Sequence, residues 1–181
     1  PAEAGHGIVG IDDRATARKA VRHLIEKGHR NIFGLFGNRS LSITRDRLLG
    51  HQDALHEAGL PDAEDHLVFA ESSKEANEKL TPLLKEYGQG AALFAMSDEL
   101  MVGAVQAAER LSLKIPRDLA VICISDGFAP EFYVPKITHL LHSGYEVGQK
   151  ASRLLFEFIR QEQKSRVRLL LDCDLVEMES V

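Results

Sequence analysis

The sequence predicts an α/β protein, a doubly wound three-layer sandwich built on a mostly parallel sheet. Short apolar runs rich in β-branched and aromatic residues alternate with amphipathic stretches of helical period along the 181 residues. Several runs, residues 91–95 (AALFA) and 119–124 (LAVICI) among them, are apolar at consecutive positions, as strands covered on both faces are. The intervening stretches are long enough to serve as right-handed crossover helices between parallel neighbours.

The elements follow in order. Residues 8–11 (IVGI) read as a strand. Ala17, Val21, Leu24 and Ile25 then share one helical face, and Lys27-Gly28 stops that helix. Residues 31–36 (NIFGLF) form a second strand, followed by a helix over 44–58 with Leu48 and Leu55 inward and Gly59 as its C-cap. A short strand spans 67–70. Ala76, Leu80, Leu83 and Leu84 outline the next helix, which Pro82 should kink or start late. After the strand at 91–95, Met101, Ala104, Val105 and Ala108 give a helical stripe that leads to the strand at 119–124. Residues 138–141 form a short strand after Pro135. Val147, Ala151, Leu154, Leu155 and Phe158 make the clearest amphipathic helix, and strands at 166–171 and 175–176 finish the chain.

Composition narrows the function. With 44% hydrophobic and 27% charged residues the chain is globular rather than disordered. Its 22 Lys and Arg against 27 Asp and Glu give a net charge of -5, without the basic cluster of a surface that grips DNA. Two cysteines are too few for a disulfide scaffold and favour a reducing, cytoplasmic compartment. No apolar run is long enough to span a membrane, and no leader opens the sequence. The first residue is Pro1 rather than methionine, which marks the chain as a processed product or a fragment.

In a doubly wound sheet, ligands bind outside the carboxyl ends of the strands. That rule selects Asp12 and Asp13, Gly37 to Ser40 with Thr44, Arg45 and Arg47, Ser97 and Asp98, Ser125 and Asp126, and His142 and Ser143. These groups suit hydroxyls, amides or a carboxylate. Each has a plainer alternative: Ser97, Asp98, Asp12 and Asp13 are good helix caps, and Asp126 can cap a turn. Arg47 stands out because a cation early in a helix opposes the dipole. Catalytic signals are weak. Phosphate-loop and nucleophile-elbow spacings are absent, and His51 and His56 diverge on their helix. His139 and His142 point to opposite faces of an extended segment, and Cys123 reads as a packed thiol. The expectation is no enzyme, no catalytic residue, no metal and no cofactor.

Several ordered motifs resemble the lactose/galactose repressor (LacI/GalR) family. Residues 21–32 (VRHLIEKGHRNI) are similar to its HLI..GHR.I signature, after Ile11-Asp12-Asp13 for V-D-N. Arg47-Leu48-Leu49-Gly50 with Ala54-Leu55, Ser97-Asp98 with Gly103-Ala104, residues 115–121 (IPRDLAV), and residues 135–138 (PKIT) with Gly148 match later motifs in order. The resemblance implies the class I periplasmic-binding-protein-like fold, with two hinged subdomains and a small ligand between them. It implies that residues 29–142 and 167–181 form the C-terminal effector-binding subdomain. Residues 1–28 and 143–166 are then remnants of the N-terminal subdomain and hinge, whose helices lack their partner. Arg47, Ser97, Ser125 and His142 are the implied ligand contacts, with Asp13 at the hinge. At the cleft edge Ser97 stands for the usual Asn, Ser125 for an Asp, Cys123 for a Gly and Ile124 for an aromatic, so the effector should differ from the common sugars. The implied function is effector binding and dimerisation in a bacterial transcriptional regulator. A sugar or nucleoside would modulate operator binding by an N-terminal helix-turn-helix that is absent from this sequence. The alternative is a sugar-binding protein of a transport system with the same fold, and an enzyme with a Rossmann-like core is a more distant third.

Overall fold

A computed structural model describes residues 7–87, 89–160 and 167–181. Its elements run β1 (Ile8–Ile11), α1 (Asp13–Glu26), β2 (Ile32–Phe36), α2 (Ser42–Glu57), β3 (Leu67–Phe69), α3 (Ser73–Tyr87), β4 (Ala91–Ala95), α4 (Asp98–Arg110) and β5 (Leu119–Ser125). They continue with β6 (Thr138–Leu141), α5 (Gly144–Ile159), β7 (Arg168–Leu171) and β8 (Asp174–Val176). The expected strand at 166–171 thus begins at Arg168, and Arg166 lies outside the described residues.

The main sheet has the order β3-β2-β4-β5-β6-β8, parallel except for β8, which runs antiparallel to β6. Every residue of β2, β4 and β5 is buried, as strands covered on both faces require. The crossover from β2 runs outward to β3, whereas the one from β4 runs the other way to β5. Right-handed connections therefore put α2 on one face and α3 and α4 on the other. The reversal between β2 and β4 is the topological switch point.

Each helix pair closes on a glycine. A Cβ on Gly50 of α2 would lie 2.1 Å from the Arg14 carbonyl oxygen of α1, and one on Gly103 of α4 would lie 2.4 Å from the Ser73 carbonyl oxygen of α3. The backbones approach only because no side chain stands between them. The core is completed by Phe33, Phe36, Phe94, Leu93 and Ile122, all fully buried. From the C-terminal end, Ser180 binds the sheet edge. Its hydroxyl donates to the Val121 carbonyl at 2.6 Å and accepts from the Thr138 N–H at 2.8 Å, while the Val121 N–H donates to the Ser180 carbonyl.

Three placements differ from the sequence expectations. The helix in residues 1–28 was expected to belong with the absent half, yet α1 lies on the main sheet beside α2, with Ala17, Ala20, Val21 and Leu24 fully buried. Its apolar stripe found a partner because Gly50 lets α2 come close. Residues 167–181 do not stay together either. β7 pairs in parallel with β1 in a separate two-stranded sheet, and only β8 joins the main one. Pro82 does not delay the start of α3: it sits inside one continuous helix, where the preceding Thr81 hydroxyl donates to the Asn77 carbonyl.

α5 packs against β1 and contains no buried residue, although its sequence is strongly amphipathic. Tyr145, Leu155, Phe156 and Ile159 are exposed on it. Among the described residues, no helix is long and apolar enough to cross a membrane.

Candidate functional site

The switch point carries a cavity of about 340 Å³. Gly37 and Asn38 reach it from the end of β2, Ala70 and Glu71 from the end of β3, and Met96 and Ser97 from the end of β4. Leu41, Glu99 and Leu100 complete the lining. Met96, Leu100 and Ala70 are buried and give an apolar floor, while Asn38, Glu71 and Glu99 stand exposed around it. The Asn38 amide donates to Glu71 Oε1 at 2.7 Å, and Asn38 Oδ1 accepts from the backbone N–H of Ser40, so the β2–α2 loop is ordered by one side chain. The Arg39 guanidinium lies 3.8 Å from the Phe69 ring centroid and pins the same loop from outside. An apolar floor with carboxylate and amide walls suits a neutral ligand bearing hydroxyls.

The five residues selected from sequence fall into three places. Ser97 lines the cavity, and its hydroxyl also accepts the Leu100 N–H at 3.5 Å as the N-cap of α4, the plainer role. Arg47 and Asp13 meet behind the cavity. Arg47 Nε lies 2.7 Å from Asp13 Oδ1, and Nη1 donates to the Met96 carbonyl. This buried guanidinium ties the start of α1 to α2 and to the end of β4. The oddity of a cation early in a helix is thus answered by a carboxylate on the neighbouring helix. Ser125 is fully buried and accepts the Gly127 N–H at 2.9 Å, and its carbonyl accepts the His142 N–H at 2.9 Å. Neither Ser125 nor His142 lines the cavity.

Asn38, Glu71 and Glu99 went unselected as contacts, although Asn38 stood on the strand-end list. Glu71 follows β3, a strand of only three residues whose end is faint in the sequence. Asp98, also on the strand-end list, has its Oδ1 buried without a hydrogen-bond partner among the described residues. Burial, with a smaller push from Asp98, lifts the Cys123 thiol well above its usual pKa, as befits a packed thiol. Among the described residues, no group of three or more His, Cys, Asp or Glu could hold a metal ion.

A doubly wound sheet with a polar cavity at its switch point defines a ligand-binding α/β domain. A profile for the periplasmic binding protein-like domain matches residues 21–181, and the chain belongs to that family. Its relatives of known role are LacI-type regulators. It is 33% identical over 177 residues to the HTH-type transcriptional regulator MalR of Clostridium butyricum, covering 97% of this chain and 52% of that protein. It is 30% identical over 169 residues to the transcriptional repressor CytR of Escherichia coli strain K12, covering 93% and 50%. Among solved structures, a transcriptional regulator CelR–cellobiose complex superposes with a TM-score of 0.90 at 28% identity, covering 99% of this chain and 55% of that one. CcpA of Lactococcus lactis gives 0.86 at 25% identity, covering 96% and 64%. The chain spans about half the length of the curated relatives it matches.

Proposed function

We propose that this chain is the effector-binding region of a LacI-type transcriptional regulator that acts in the cytoplasm as a homodimer and is not an enzyme. A small ligand of the sugar or nucleoside class sets the affinity of a helix-turn-helix, outside this sequence, for operator DNA. The cavity at the switch point is the observation that carries the reading. Its exposed Glu71 and Glu99 can accept hydroxyl hydrogen bonds over the apolar floor of Met96 and Leu100, while Asn38 holds Glu71 in place. That chemistry favours a sugar over a nucleoside, because the lining has no aromatic side chain to stack on a base. One regulator of the same fold, superposing with a TM-score of 0.90, was solved as a complex with cellobiose.

The Arg47–Asp13 pair supports a route for the signal. It joins the back of the cavity, through Met96, to the point where β1 enters the main body. Ligand binding that shifts Met96 alters this pair, and the β1–β7 sheet turns with it, a population shift between two states. On the β5–β6 side His142, half-buried at the end of β6, is the remaining contact, whereas Ser125 is buried and held by Gly127. Dimerisation has its own support: Phe128 and Phe132 pack ring on ring at 4.8 Å beside Val134, and these side chains are 70%, 71% and 99% exposed.

The experiment is a thermal-shift and calorimetric panel of mono- and disaccharides and nucleosides on wild type, Ser97→Ala and Glu71→Gln. A sugar that binds wild type and loses about tenfold or more in each variant supports the reading. Binding of nothing in the panel, or of a ligand indifferent to both variants, overturns it.

A further inference from the structure

A second concavity, of about 230 Å³, lies away from the switch point, between α1 and the β7–β8 connection. Ala15, Thr16, Arg18, Lys19 and Arg22 line it from α1, and Asp172 and Cys173 from the connection. Helical spacing brings Arg18, Lys19 and Arg22 to one side, because residues three and four apart are neighbours on a helix surface. Three cations thus converge on one groove in a chain whose net charge is -5.

These cations are not equally committed. Arg14, one turn earlier, makes a two-pronged pair with Asp53 at 2.6 and 2.8 Å, which holds the Asp53 carboxyl below its usual pKa. Arg18 and Arg22 reach only single contacts, 3.3 Å to Glu57 and 3.4 Å to Glu26, with both partners of each pair exposed. Such pairs are weak and exchange readily for a better acceptor. Lys19 is half-buried, and its ammonium donates to the Cys173 carbonyl at 2.8 Å, with two further N–H bonds to offer. The adjoining concavity shares Arg18, but there Arg14 is already neutralised by Asp53 and Asp12 adds a second carboxylate, so it offers no comparable surplus.

We propose that the groove between α1 and the β7–β8 connection binds a phosphate-class dianion through Arg18, Lys19 and Arg22. Two guanidinium forks and an ammonium match the oxygens of a phosphate better than those of a single carboxylate. Asp172, the one carboxylate in the lining, opposes the ligand and limits its affinity. A dianion there fastens α1 to the connection that carries the chain from the β1–β7 sheet back to the main one. It therefore stiffens the junction between the two sheets independently of the switch-point cavity.

Inorganic phosphate and a sugar phosphate monoester share this chemistry, so both are titrated by calorimetry at neutral pH, with chloride holding ionic strength constant. Uncharged glucose serves as the control. Saturable binding of at least one phosphate probe is expected. Arg18→Gln combined with Arg22→Gln should weaken it by about tenfold or more, and Asp172→Asn should tighten it several-fold. All three positions are exposed, and circular dichroism verifies that the variants fold. Lys74→Gln, on the exposed surface of α3, should leave binding unchanged. A monoester that binds tenfold better than inorganic phosphate identifies the organic source, and equal affinity identifies phosphate itself. The proposal is overturned if neither probe binds above the chloride background. It is equally overturned if the double variant and Asp172→Asn bind as wild type does.

Discussion

His51 is the clearest test of how this core is built. It sits on α2 with no exposed surface, edge-on to Phe36 at 5.6 Å between ring centroids and tilted against Phe94 at 6.1 Å. Both ring nitrogens lack a hydrogen-bond partner among the described residues. Gly34 makes the room, since a Cβ there would lie 3.0 Å from Nε2. Burial, helped by the charge of His66, lowers the imidazole pKa from 6.5 to about 4. Between these values the unfolded chain binds a proton that the folded chain refuses, so stability is full above pH 6.5 and falls as the pH drops toward 4. A shift of that size corresponds to about 3 kcal/mol, most of it expressed by pH 4.5. The perturbation is His51→Leu, followed by urea unfolding at intervals from neutral pH to pH 4.5. His23 and His29, whose pKa values burial also lowers, contribute in the same direction in both proteins and cancel in the difference. The variant should match or exceed wild type at neutral pH, because two unsatisfied buried nitrogens costing ~1–3 kcal/mol each are removed at similar volume. At pH 4.5 its advantage should grow by roughly 2 to 3 kcal/mol. Parallel stability curves for the two proteins across this range would refute the reasoning.

Two further predictions concern the seams of the sheet. Gly103→Ala drives a Cβ to 2.4 Å from the Ser73 carbonyl oxygen, a backbone atom that cannot swing aside, so α3 and α4 must part. A loss of about 1–3 kcal/mol by denaturant unfolding is expected, whereas Gly10→Ala, whose Cβ meets nothing within 4 Å, should be nearly neutral. Ser180→Ala leaves the Thr138 N–H and one Val121 carbonyl contact unanswered in a buried place. It should cost roughly 1–3 kcal/mol, with faster amide exchange at Thr138 as the local signature.

The strands were legible because β2, β4 and β5 are apolar at every position but the final Ser125 of β5, a pattern that few other environments produce. Helix positions were legible from period, but helix partners were not. The stripe of Ala17, Val21 and Leu24 would serve any apolar surface, and what assigns α1 to α2 is the missing side chain at Gly50, thirty-odd residues away. Likewise Pro82 carried a breaker's signature that α3 absorbs within one continuous helix. At the site, the strand-end rule points to the edge of the sheet that carries the cavity. It could not say which polar groups the fold would use up. Arg47 answers Asp13, Ser125 closes its own turn at Gly127 and Asn38 is taken up by Ser40 and Glu71, whereas Glu71 and Glu99 keep accepting atoms at the cavity. Sequence lists the donors and acceptors, and tertiary packing decides which are already spent.

The two sheets also differ in their margins. The main sheet ends in three-residue strands, β3 and β8, and β8 reverses direction, so it offers little template for a further strand. The β1–β7 ribbon has longer edges, each strand paired only with the other among the described residues, and Ile8, Leu169 and Leu170 are exposed along it. Strand-by-strand aggregation of this chain should therefore begin at the ribbon. A lysine placed on the outer edge of β7 is the substitution that would raise its solubility without touching the core.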